Sequence, residues 1–157
     1  MQLLSKVTGS FSSPFVSEEL GERFANALNF CLDSLVGQKG LKLKVNDPDA
    51  YNFDPRSLLI NILTMFANMS GEETFLRHVV NDTRSYKSET FEKAVRILSN
   101  PKKGIMIDQD KKERFEVMVA RMRDMKNEID EEEVSTDDTL FRCRGCMMMR
   151  LRNSLTP

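Results

Sequence analysis

Between Leu28 and Leu59 the chain reads LNFCLDSLVGQKGLKLKVNDPDAYNFDPRSLL, and its hydrophobic period changes twice within that stretch. Upstream, Ser17 followed by Glu18 and Glu19 predicts a helix start, a hydroxyl N-cap with carboxylates at the positive end of the helix dipole. Leu20, Phe24, Ala27, Leu28, Cys31 and Leu35 recur at helical spacing and predict its inward face, and Gly37 predicts a left-handed C-terminal cap. Downstream, Asp54-Pro55 places a capping carboxylate before a proline that suits the first helical position, opening a helix through Leu58, Leu59, Ile62, Leu63 and Phe66. In between, Leu41, Leu43 and Val45 alternate with Lys42 and Lys44, which is the period of a strand. A lone strand has nothing to pair with, and the rest of the chain offers none, so residues 38–53 predict an extended connector laid against helices. The fold class that follows is all-α.

The remaining segments agree. Leu3, Leu4 and Val7 predict the end of a helix whose packing neighbour lies upstream. Ser70 with Glu73 predicts a capping box before Phe75, Leu76 and Val79. Arg84-Ser85-Tyr86 predicts a turn. Ser88 to Leu98 predicts a helix with Phe91, Ala94, Val95 and Leu98 inward, stopping before Asn100-Pro101. From about Asp108 to Glu132, Phe115, Met118, Val119, Met122, Met125 and Ile129 share one face of a long helix. From Val134 the periodicity is lost. The organisation predicted is a helical domain over residues 1–133, built as stacked hairpins, and a flexible tail over 134–157.

Few chemistries survive a search of the side chains. With 23 basic and 24 acidic residues the net charge is −1, which gives no field to draw in nucleic acid or an anionic membrane. The apolar runs are too short to span a bilayer. Three cysteines and no signal peptide point to a reducing compartment, cytoplasm or nucleus. Cys143 and Cys146 have the spacing of half a zinc site, but His78 and Cys31, the other candidates, fall on core helices, so no metal and no cofactor is expected. His78 has no nucleophile or orienting partner in view, and the carboxylates of Glu72, Glu73 and Asp130 to Glu133 are the solvated charges of helix ends, so no catalytic residue is assigned. Met118, Met122 and Met125 are core filler. Lys39, Lys42 and Lys44, turned outward by the alternation, form the most plausible contact surface.

Assembled in order, Leu28-Asn29-Phe30, the glycine-closed helix at Gly37, Leu43-Lys44-Val45, Tyr51-x-Phe53-x-Pro55, Asp82-Thr83-Arg84-Ser85-Tyr86 and Phe91-Glu92-Lys93-Ala94 carry a pattern that resembles the core of the ubiquitin conjugation factor E4 family. Pro14-Phe15 and Glu19-Leu20 extend the resemblance, which runs from about Leu3 to Ile129. It implies an armadillo-like superhelical core and a role in extending ubiquitin chains on substrates that already carry ubiquitin. The partners it implies are ubiquitinated substrates, ubiquitin, a ubiquitin-conjugating enzyme docked through a U-box, and a protein-unfolding ATPase. Arg84 and Tyr86 match the family motif and join the lysines as candidate contact residues. Past Glu133, Val134 to Cys143 depart from the pattern that leads into the U-box, so the chain is expected to lack that domain. Inactivity alone follows from this, as does an alternative reading, a non-catalytic helical interaction module left from a truncated or alternatively spliced E4 factor.

Overall fold

The computed structural model describes residues 1–11, 13–37, 54–100 and 105–152, with side chains described as far as residue 131 except at residue 13. Every regular element among them is helical: α1 (Gln2–Ser10), a 3-10 turn (Ser13–Val16), α2 (Glu18–Val36), α3 (Pro55–Met69), α4 (Glu73–Asn81), α5 (Ser88–Leu98) and α6 (Gln109–Arg152). The all-α expectation holds. The chain divides into two compact units, residues 1–123 and residues 124–157.

In the first unit α2 is the hub, packing on α3, α4, α5 and the 3-10 turn, while α1 lies along α3. The core is a run of phenylalanine rings. Phe15 meets Phe24 at 4.7 Å between centroids and Phe24 meets Phe75 at 6.1 Å. Phe66 then touches Phe75, Phe91 and Phe115 at 6.2, 5.3 and 6.2 Å. Tilted and edge-on arrangements of this kind bring the positive rim of one ring to the negative face of another, adding to the area they bury. Met65, Met69, Met118 and Met122 fill the spaces around them and are fully buried, as expected of flexible thioethers in a core. Met125 and Ile129, in the second unit, are half-buried.

The face of α2 differs from the spacing-based expectation. Leu20 and Ala27 are exposed and Cys31 is half-buried, whereas Gly21, Ala25, Leu28, Asn29, Leu32, Leu35 and Val36 are buried. The stripe is rotated because Asn29 and Gly21, not apolar by composition, belong to it. Gly21 is there for close approach: a Cβ would come within 2.9 Å of the Phe15 carbonyl oxygen and 3.2 Å of His78 Cδ2.

Caps also differ. Gly37 has φ −59° and ψ −177°, so it is not the left-handed cap expected. Its lack of a side chain serves another end, since a Cβ would collide with the Asp33 carbonyl oxygen and lie 2.7 Å from Asp33 Oδ1. Ser17 occupies the N-cap position of α2, but its hydroxyl donates backward to the Pro14 carbonyl at 3.0 Å. Ser70 closes α3, donating to Ala67 O at 2.8 Å, and Glu72 is the N-cap of α4, so the predicted capping box does not form. Asp54 behaves as expected: its carboxylate accepts from Arg56 N at 3.0 Å with Pro55 opening α3. Helix α6 runs on to Arg152, past the end expected at Glu132, and its sequence holds no proline in that stretch to stop it.

At the start, α1 buries Thr8 and leaves Leu3 and Leu4 exposed. Asn68 of α3 ties it down, donating to Ser5 O at 3.0 Å and Thr8 Oγ1 at 3.2 Å. No helix among the described residues is long and apolar enough to cross a membrane.

Candidate functional site

Residues 82–87, which join α4 to α5, hold the two candidate contact residues that the structure describes. The other three, Lys39, Lys42 and Lys44, lie outside the described residues, as does the rest of the predicted connector.

Asp82, buried at the end of α4, organises this turn. One carboxylate oxygen accepts from the backbone N–H of Arg84 at 3.0 Å and of Ser85 at 3.1 Å. The other accepts from Asn29 Nδ2 of α2 at 3.1 Å, and the same amide donates to the Val79 carbonyl at 3.0 Å. Leu28-Asn29-Phe30 and Asp82 to Tyr86, separate stretches of the sequence pattern, are therefore two halves of one buried hydrogen-bonded junction. Sequence reasoning missed it. The available signal was an asparagine within an apolar helical stripe, where a buried amide requires partners.

A second tie lies one turn along α2. Asp33 accepts from Lys87 Nζ at 2.6 Å and from Thr90 Oγ1 at 2.9 Å, fixing the entry of α5. Partial burial pushes the Asp33 carboxyl up, but the hydrogen bonds from Lys87 and Thr90 and the charges of Lys87 and Lys93 outweigh it, leaving it below the usual carboxylate range. A carboxylate with a lowered folded-state value contributes stability that is complete above the unfolded value, about pH 4, and lost as pH falls through the folded one. Asp33→Asn is thus expected to destabilise by a constant increment at neutral pH, the increment shrinking as pH falls through the lowered folded-state value. Urea midpoints measured across that range check it, and a gap independent of pH would refute the tie.

From this braced turn Arg84 and Tyr86 line two separate cavities. Tyr86 packs against Phe91 at 5.4 Å between centroids and lines a groove of about 310 Å³ between α5 and α6, floored by Val95, Val119 and Ala120. Arg84, exposed, lines a polar recess of about 490 Å³ with Glu22 and Asn26 of α2 and with His78, Asn81 and Thr83. Glu73 links α4 to α6 through Arg121 at 3.2 Å and also pairs with Arg77 at 3.0 Å, so it is committed to ion pairs. His78 is half-buried, and Cys31 carries a free thiol that burial pushes up. Among the described residues no three His, Cys, Asp or Glu side chains converge as metal ligands.

Residues 1–123 match the family described as the ubiquitin elongating factor core. The chain is 39% identical over 98 residues to the E4 ubiquitin-protein ligase UFD2 of Saccharomyces cerevisiae, covering 62% of this chain and 10% of that protein. It is 40% identical over 105 residues to the ubiquitin conjugation factor E4 A of Mus musculus, covering 66% of this chain and 10% of that one. To the ubiquitin conjugation factor E4 ufd-2 of Caenorhabditis elegans it is 30% identical over 135 residues, 84% of this chain and 13% of the relative. The chain thus spans about a tenth of the length of the relatives it matches. With the family match running from α1 through Arg123, across the whole first unit and both halves of the Asn29–Asp82 junction, the chain belongs to the ubiquitin elongating factor core family.

Proposed function

We propose that this segment is a rigid scaffold in ubiquitin-chain elongation, holding partners in place for a transfer whose covalent step occurs on another protein. The observation that carries the reading is the family match over residues 1–123. The physical case is consistent with it. Acceleration by positioning needs stiff surfaces at fixed spacing, because holding two reactants in near-attack geometry supplies much of the entropy that a bimolecular step would otherwise lose. A turn braced at Asp82 and Asp33, with the phenylalanine core beneath it, has that stiffness.

In this reading the ubiquitin thioester is borne by a conjugating enzyme docked through a U-box, the acceptor is a substrate already carrying ubiquitin, and a protein-unfolding ATPase receives the product. The setting is the cytoplasm or nucleus. The test is a reconstituted reaction with activating enzyme, conjugating enzyme, ubiquitin and a ubiquitinated substrate. This chain alone is expected to give no chain lengthening above background, and its fusion to an upstream core and a U-box joined after Glu133 is expected to give robust lengthening. Lengthening by the unmodified chain, or none by the fusion, would overturn the scaffold reading.

A further inference from the structure

The net charge of −1 averages over a segregated sequence. Residues 127–138 of α6 include seven acidic residues and no basic one, whereas residues 139–152 include four arginines, Arg142, Arg144, Arg150 and Arg152, and no acid. The helix runs unbroken through both stretches. Arg142 has Asp138 four residues before it, but Arg144, Arg150 and Arg152 have no acidic residue at the three- or four-residue spacing that pairs side chains along a helix. The dipole of α6 favours cations in its last turn, which accounts for Arg150 and Arg152 and leaves Arg144 unexplained.

Apolar residues fill the gaps between these cations. At 3.6 residues per turn Leu140, Cys143, Met147 and Leu151 fall on one stripe, with Phe141 and Met148 along its edge. Arg144 falls inside the same stripe. In the groove of a partner protein that register would bury a charge among apolar groups, which is costly without a paired acid. At the face of a bilayer the long arginine stem lies among apolar groups while its guanidinium rises to the headgroup phosphates. At 1.5 Å per residue the stretch is about 20 Å long, short of the hydrocarbon thickness of ~30 Å, so it suits the surface of a membrane and not a crossing.

We infer that residues 139–152 form an interfacial helix that binds the surface of an anionic phospholipid bilayer. The apolar stripe enters the boundary between headgroups and acyl chains, and the arginines pair with lipid phosphates. The seven acidic residues upstream are repelled by the same surface, and with a screening length of about 8 Å contact is confined to the last turns of α6. Residues 139–152 lie outside the family match, so this contact is independent of the scaffold reading.

The chain contains no tryptophan, so Phe141→Trp places a single reporter in the stretch. The full chain carrying it is titrated with phosphatidylserine-rich vesicles and, separately, with vesicles of phosphatidylcholine alone, at physiological salt. The anionic vesicles are expected to give a saturable blue shift of the emission, and the neutral ones at least about tenfold weaker binding. Arg144→Gln together with Arg150→Gln is expected to weaken binding to the anionic vesicles about 25-fold, at about fivefold for each arginine. Leu140→Ser together with Leu151→Ser is expected to abolish the blue shift. Both pairs lie outside the first unit, whose urea midpoint is expected to stay unchanged. Equal binding to the two kinds of vesicle, no blue shift with either, or an unchanged affinity in the arginine pair would overturn the proposal. So would binding that survives the leucine pair, which would mark attraction to any polyanion, or capture by calcium-loaded calmodulin in preference to vesicles, which would assign the helix to an acidic protein groove.

Discussion

Phe66→Ala is expected to lower the stability of the chain by about 3–5 kcal/mol, the range for emptying a fully buried phenylalanine site. Phe66 has no exposed surface and touches three other rings, Phe75, Phe91 and Phe115, which belong to three different helices. Neighbours drawn from α4, α5 and α6 cannot all collapse inward at once, so the void persists and the loss falls toward the upper end. Phe66→Leu, which retains much of the volume, is expected to lose less than half as much. Urea denaturation followed by circular dichroism measures both. A loss under about 1.5 kcal/mol for the alanine variant would mean that the rings are not the organising centre.

Asp82→Ala is expected to cost about 2–4 kcal/mol, because it strips the acceptor from three donors together, Asn29 Nδ2 and the backbone N–H groups of Arg84 and Ser85. Asn29→Ala should cost less by itself, since the backbone donors of the turn keep their partner. The two changes made together are expected to fall short of additivity by about 1–2 kcal/mol, as for groups in one hydrogen-bonded network. Additive losses would show that Asn29 and Asp82 act independently. In the fusion with an upstream core and a U-box, Asp82→Ala should also depress chain lengthening at temperatures where the protein is still folded, since the turn would lose its brace.

The helices were legible in the sequence wherever a local rule determined them. The bounds of α2, α3 and α5 followed from apolar spacing, from Asp54-Pro55 and from the break before Pro101, all of which act within a turn or two of the chain. The caps at Ser17 and Ser70 were misread because a hydroxyl can turn to either side of its own backbone, and both hydroxyls donate to the preceding turn. The inward face of α2 was misplaced because amphipathic patterns count apolar residues, and this face includes a glycine for close approach and an asparagine for a long-range bond. The junction itself joins residues 53 apart, a pairing that no periodicity encodes. Arg84 and Tyr86 were visible as motif residues. Their division between a polar recess and an apolar groove depends on which neighbours tertiary packing brings to each side.

The phenylalanine run has a consequence for biosynthesis. Its rings are drawn from the 3-10 turn through α6, so the last contact, at Phe115, is made by a residue translated well after Phe66. At about 5–20 residues per second, α2 and α3 leave the ribosome about 2–10 s before the helix that covers Phe66 on its remaining side. During that interval the nascent chain presents bare aromatic surface, a substrate for the chaperones that patrol the exit tunnel. Until α6 arrives, shielding of that surface has to come from outside the chain.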